Sequence, residues 1–88
     1  MEVEYTSGFN KDVRKLRDRK LKDAIIAAIQ NIKVAAKPGH IRNLEDIKGF
    51  KNYFRIRIGD FRIGIRIVSN KVYLIIVAHR SEIYKLFP

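Results

Sequence analysis

The chain has 88 residues, 19 of them basic and 9 acidic, for a formal net charge of +10. That length leaves room for one domain, residues 1–88, in which only roughly 60–65 % of the unfolded surface can be buried. There is no cysteine, so neither disulfides nor thiolate metal sites can staple the core, and His40 and His79 alone are too few for a metal cage. No segment reads as a membrane span or an export signal, and a cytoplasmic protein without a cofactor is the expectation.

The charge is unevenly spread. Met1 to Lys48 carries 11 basic and 7 acidic residues, a net +4, whereas Gly49 to Pro88 carries 8 basic and 2 acidic residues, a net +6. A field of that sign attracts polyanions. In chain order, "EVEYT" alternates Val3 and Tyr5 and predicts a short first strand. "SGFNKDVRKL" offers Ser7 as a cap and repeats Phe9, Val13 and Leu16 at helical spacing, which predicts a short helix. A longer helix is predicted from about Arg19 to Ala36, with Leu21, Ile25, Ala28, Ile29 and Ile32 on one stripe and Pro38-Gly39 stopping it. "IRNLEDIKGFKN" reads as a connector docked through Ile41, Leu44, Ile47 and Phe50, with one helical turn at most.

"YFRIRIGDFRIGIRI" then alternates isoleucine with arginine on both sides of Gly59-Asp60, a two-residue hairpin signal. Counting outward pairs Ile58 with Phe61, Arg57 with Arg62, Ile56 with Ile63, Arg55 with Gly64 and Tyr53 with Arg66. One face is apolar; the other carries Tyr53, Arg55, Arg57, Arg62 and Arg66. "VYLIIVAH" follows as a third long strand, apolar enough to be central. A two-residue turn at Asn70-Lys71 places His79 opposite Arg62 and leaves Ile75 and Val77 on the arginine face, while a three-residue turn shifts the pairing by one. The tail "RSEIYKLFP" holds enough apolar surface to fold back. The order of elements gives an α+β fold: a short N-terminal strand, then a two-helix hairpin packed on the isoleucine face of an antiparallel sheet.

The arginine face is the functional suspect. Like charges directly opposite each other cost about 0.2–1 kcal/mol unless an anion lies between them. Guanidinium groups hold phosphate by paired hydrogen bonds and stabilise the extra charge of a pentacovalent transition state. His79 is the group near this row whose ordinary ionisation allows proton exchange near neutrality. Tyr84 offers a ring to stack and a hydroxyl to position.

Together, "YFRIRIGDFRIGI" and "HRSEIYKLFP", behind a strand and two helices, resemble the RelE/ParE superfamily of bacterial toxin–antitoxin toxins, over essentially the whole chain. The resemblance implies a RelE-like fold and, for the RelE-like branch, cleavage of messenger RNA on the ribosome without a metal. It also implies silencing by a cognate antitoxin protein, in a complex that is a higher-order hetero-oligomer. The ParE-like branch shares the fold and inhibits DNA gyrase without catalysis; a basic module that only docks on ribosomal RNA is a third reading. By that resemblance Arg55 and Arg57 match a basic pair, Arg62 the hairpin arginine, Arg80 a basic tail position and Tyr84 the C-terminal tyrosine. Some relatives carry lysines at the positions of Arg55 and Arg57, and another basic residue of some relatives' tails aligns near Ala78, which supplies no charge. Proton transfer is therefore expected to fall on His79 or Tyr84.

Overall fold

The computed structural model describes residues 1–88. Strand β1 (Glu2–Tyr5) leads into helices α1 (Ser7–Lys15) and α2 (Arg19–Val34). A 3-10 turn at Pro38–His40 follows, and then β2 (Leu44–Asp46), β3 (Tyr53–Ile58), β4 (Phe61–Val68), β5 (Lys71–His79) and a C-terminal helix α3 (Arg80–Leu86). The five strands form one sheet in the order β1-β5-β4-β3-β2, with β1 parallel to β5 and the other pairs antiparallel. No helix is long and apolar enough to cross a membrane.

Alternation builds the main core. Ile56, Ile63, Ile65 and Ile67 point to one side of the sheet and are buried against Phe9 of α1 and Leu21, Ile25, Ile29 and Ile32 of α2, joined by Val72, Leu74 and Val77 of β5. Each such side chain contributes about 1.5–3 kcal/mol on burial. The predicted α+β arrangement is therefore the observed one, and the predicted central strand, β5, lies between β1 and β4. A smaller cluster of Ile47, Ala78, Ile83 and Phe87 forms on the opposite side, where α3 lies on the sheet.

Several local expectations are corrected. Thr6, not Ser7, caps α1: its hydroxyl accepts from the Phe9 N–H at 3.2 Å and donates to the Leu74 carbonyl at 2.7 Å, which ties the cap to β5. Helix α2 ends at Val34 rather than Ala36, because Ala35 turns to extended backbone and is buried in the core. The connector contains a strand as well as a turn. β2 pairs with β3, Leu44 opposite Ile56 and Asp46 opposite Phe54, so the free edge of β3 gives a three-residue segment its conformation. The folded-back tail is a helix, with Ile83 and Phe87 buried.

The first hairpin has the predicted register at every pair, and Gly59 takes the left-handed backbone, φ +56°, that the turn requires. The second hairpin differs. Its turn is Ser69-Asn70, both at positive φ, so Val68 faces Lys71. A bulge at Ile75 then adds a residue to β5, after which Gly64 faces Ile76, Arg62 faces Ala78 and Phe61 faces His79. The extra residue reverses side-chain parity. Val77 enters the main core and Ile76 and Ala78 take the arginine face, the reverse of the expected assignment for Val77.

Candidate active site

The arginine face forms in three cross-strand rows. The row nearest the first turn runs Arg57–Arg62–Ala78, the next Glu45–Arg55–Gly64–Ile76, and the last Tyr53–Arg66–Tyr73. Helix α3 crosses them, because Gly64 has no side chain to hold the tail away: a Cβ there would lie 2.8 Å from the Phe87 ring and 2.6 Å from Ile76. Phe87 also tilts against Tyr53, ring centroids 5.7 Å apart.

The two arginines that face each other are not equivalent. Arg62 is only 8 % exposed; its Nη1 donates to the Gly59 carbonyl at 3.0 Å and the Phe61 carbonyl at 2.9 Å. Its Nε lies 3.6 Å from the Glu45 carboxylate, close enough for charge attraction but too long for a hydrogen bond, and it has no hydrogen-bond partner. Arg57 is exposed and has neither an ion pair nor a side-chain hydrogen bond; only its backbone N–H is engaged, by the Asn43 carbonyl. Bonds to carbonyls and an acid thus offset the charge of Arg62, and Arg57 is left open to an incoming anion.

Arg55 is half-buried under Tyr84, its guanidinium carbon 4.5 Å from the ring centroid and its Nε without a hydrogen-bond partner. Tyr84 itself is 66 % exposed, so its ring offers a free outer face. Arg80 opens α3 beside the first hairpin turn; its backbone N–H donates to the Asp60 carbonyl at 2.7 Å and its Nε lies 3.8 Å from the Asp60 carboxylate.

The structure therefore brings together Arg55 and Tyr84, and Arg57 and Arg62, and it places Arg80 at the end of the same face. It does not place His79 opposite Arg62. With the bulge in β5, His79 lies edge-on to Phe61, centroids 5.3 Å apart, and caps α3: its Nδ1 accepts from the Ser81 N–H at 3.1 Å and lies 2.8 Å from the Ser81 hydroxyl. Glu45 was not among the expected site residues. It sits on β2, a strand too short to show alternation, so its presence on the arginine face could be known only once that strand was paired.

Comparison with known proteins follows the same lines. Residues 3–84 match the family model of the ParE toxin of type II toxin–antitoxin systems, parDE. Toxin RelE3 of Methanocaldococcus jannaschii is 44 % identical over 46 residues, 52 % of this chain and 52 % of that toxin, so the chain spans about half the length of the curated relative it matches. The toxin–antitoxin complex RelB–RelE of Methanococcus jannaschii superposes with a TM-score of 0.81 at 28 % identity, covering 97 % of this chain and 99 % of that one. The intact E. coli RelBE complex superposes at 0.70 with 12 % identity, covering 89 % and 94 %, which is a likeness of fold. Sequence, hairpin and fold agree: the chain belongs to the RelE/ParE superfamily of type II toxin–antitoxin toxins.

Proposed function

We infer that this toxin is of the RelE-like kind and that its arginine face cleaves messenger RNA on the ribosome. The observation that carries the reading is the meeting, on one sheet face, of an open arginine, Arg57, a buried arginine, Arg62, and a carboxylate, Glu45. A surface that merely docks on RNA needs positive charge and gains nothing from an acid inside the cluster. RNA carries its own nucleophile. Glu45 accepts the 2'-hydroxyl proton, the oxygen attacks the adjacent phosphorus, and the bond to the 5'-oxygen breaks to leave a 2',3'-cyclic phosphate and, once that oxygen is protonated, a 5'-hydroxyl. Arg57, the remaining donors of Arg62, and Arg80 neutralise the phosphate. Tyr84, backed by Arg55, stacks on a base and its hydroxyl supplies the leaving group's proton.

His79 acts through α3 as a positioning residue. Replacing it with alanine removes a cap worth about 1 kcal/mol and loosens the turn that carries Arg80 and Tyr84. His79→Asn keeps a capping oxygen and is expected to restore both thermal stability and cleavage with an unchanged pH profile. If asparagine restores stability but not cleavage, the imidazole itself transfers a proton.

The test of the reading is incubation with translating ribosomes followed by mapping of messenger 5' ends: cuts are expected with the wild type and are absent with Arg57→Gln. Intact messenger with unimpaired translation removes the reading. Gyrase inhibition is the second reading, favoured by the match to the ParE family model; it requires inhibited supercoiling with uncut RNA.

The matched crystal structures include toxin–antitoxin complexes, and a cognate antitoxin is the partner that this chain's surface suits. Between α1 and α2 an apolar groove is lined by Tyr5, Val13, Ile25 and Ile26, with Arg14 and Lys22 at its rim. That arrangement suits an acidic amphipathic segment. Mixed with the antitoxin, the toxin is expected to elute as one hetero-oligomer and to lose cleavage.

A further inference from the structure

We propose that the face divided by α3 has a second RNA-binding patch below the tail, centred on Phe50, Tyr53 and Arg66, which holds nucleotides flanking the scissile phosphate; the proposal rests on the reading of the chain as an RNA-cleaving toxin. Phe87, packed over Gly64, separates the row Tyr53–Arg66–Tyr73 from the rows that carry Arg57, Arg62 and Arg55. Arg66 is exposed, has no acidic partner, and holds its guanidinium carbon 5.8 Å from the centre of the Tyr53 ring.

Tyr53 belongs also to a shallow groove at the loop between β2 and β3, where it is joined by Ile47, Phe50 and Lys51. Phe50 is 52 % exposed although it is the largest apolar side chain in that loop. Its backbone N–H donates to the Ile47 carbonyl at 3.1 Å and its carbonyl accepts from the Tyr53 N–H at 3.4 Å, so the turn holds the ring in solvent. Lys48 and Lys51, both exposed, stand on either side of it in the sequence. Asp46 is the acid of the groove; it repels a phosphate there and can accept from the amino group of a base edge.

Single-stranded nucleic acid is bound by cations that follow the backbone and by aromatic rings on which bases stack, and a base has a π-face whatever its sequence. An exposed ring between two lysines, contiguous through Tyr53 with an unpaired arginine, meets both requirements. An apolar protein partner would use Phe50, since Ile47 is buried, and have no need of Arg66.

Binding of a fluorescent 2'-O-methyl RNA dodecamer, which cannot be cut by 2'-oxygen attack, measures the patch on the full chain by anisotropy. Phe50→Ala is expected to weaken binding roughly 5-fold or more, the scale of one lost stacking contact. Arg66→Gln is expected to weaken it as well and to lower the slope of log affinity against log salt by about 0.7. Arg42→Gln, a charge-matched change on the connector, has the smaller effect, and Phe50→Tyr retains binding. On a dodecamer of abasic sites the Phe50→Ala effect disappears while the Arg66→Gln effect remains. If the wild type binds and both variants bind no worse than Arg42→Gln, the patch is overturned and the cleavage reading stands; if Phe50→Ala is equally damaging on the abasic strand, stacking is overturned. A wild type that fails to bind the dodecamer at any salt overturns the patch, while the cleavage reading stands or falls by the ribosome assay.

Discussion

Arg57→Gln is expected to cut RNA cleavage by roughly 10²-fold or more, the loss seen when one preorganised transition-state donor is removed, while leaving thermal stability unchanged or slightly raised. The stability half follows from the exposure of Arg57 and its lack of partners: nothing in the fold depends on its charge, and the repulsion from Arg62 is relieved. Arg62→Gln separates the two arginines. It breaks the bonds to the Gly59 and Phe61 carbonyls and leaves the Glu45 carboxylate without its cation. Charge-assisted bonds of this kind contribute about 1.5–3 kcal/mol, more than the relief of a cross-strand repulsion of about 0.2–1 kcal/mol. Arg62→Gln should therefore lose activity and also lower Tm by roughly 10 °C. Thermal melts beside a cleavage assay check both. Equal stability of the two variants would mean that the contacts of Arg62 to the turn contribute nothing net, and equal activity of Arg57→Gln and Arg42→Gln would remove the phosphate-holding role of Arg57.

Gly64→Ala is expected to be the most damaging single-methyl change on the arginine face. A Cβ at that position meets Ile76 Cγ2 at 2.6 Å and two atoms of the Phe87 ring at 2.8 Å. Overpacking of this order costs about 1–3 kcal/mol, or roughly 10 °C in Tm for a chain of this size. The displacement reaches function because Phe87 anchors the helix from which Tyr84 covers Arg55. Cleavage should fall together with Tm. A Gly64→Ala protein with wild-type melting and wild-type cleavage would show that the tail yields freely and that its docking does not set the geometry of the site.

How far this site can be read from sequence depends on where parity is encoded. From Arg55 to Arg66 every second strand residue is arginine or glycine, so Arg57 could be placed opposite Arg62 from the turn residues alone. In β5 the run Val72-Tyr73-Leu74-Ile75-Ile76-Val77-Ala78 is apolar on both faces, because the helix pair covers one side and α3 the other. Such a run carries no mark of a bulge: the turn at Ser69-Asn70 shifts the pairing by two residues from the expected register, the bulge takes one of them back and reverses parity, and His79 ends opposite Phe61 instead of in the arginine row. Strand β2 was illegible for a different reason. Three residues cannot show a period, and their conformation comes from the edge they pair with; Glu45 was missed with them. The tail's Ile83 and Phe87 announced that it would fold back, but seven helical residues are too few to declare a helix by periodicity. The arginines at the centre of the candidate site were thus legible, while the acid beside them and the true place of the histidine required the assembled sheet.

The most direct measurement of the central claim is the chemistry of the cut end. Mass spectrometry of the upstream fragment released from ribosome-bound messenger is expected to find a 2',3'-cyclic phosphate, with a 5'-hydroxyl on the downstream fragment, because in the proposed reaction the 2'-oxygen is the nucleophile and the arginine–glutamate cluster would activate it and neutralise its transition state. A 3'-hydroxyl paired with a 5'-phosphate would mean that water attacks instead, and the absence of any fragment while gyrase supercoiling is blocked would mean that the arginine face is a binding surface without a reaction.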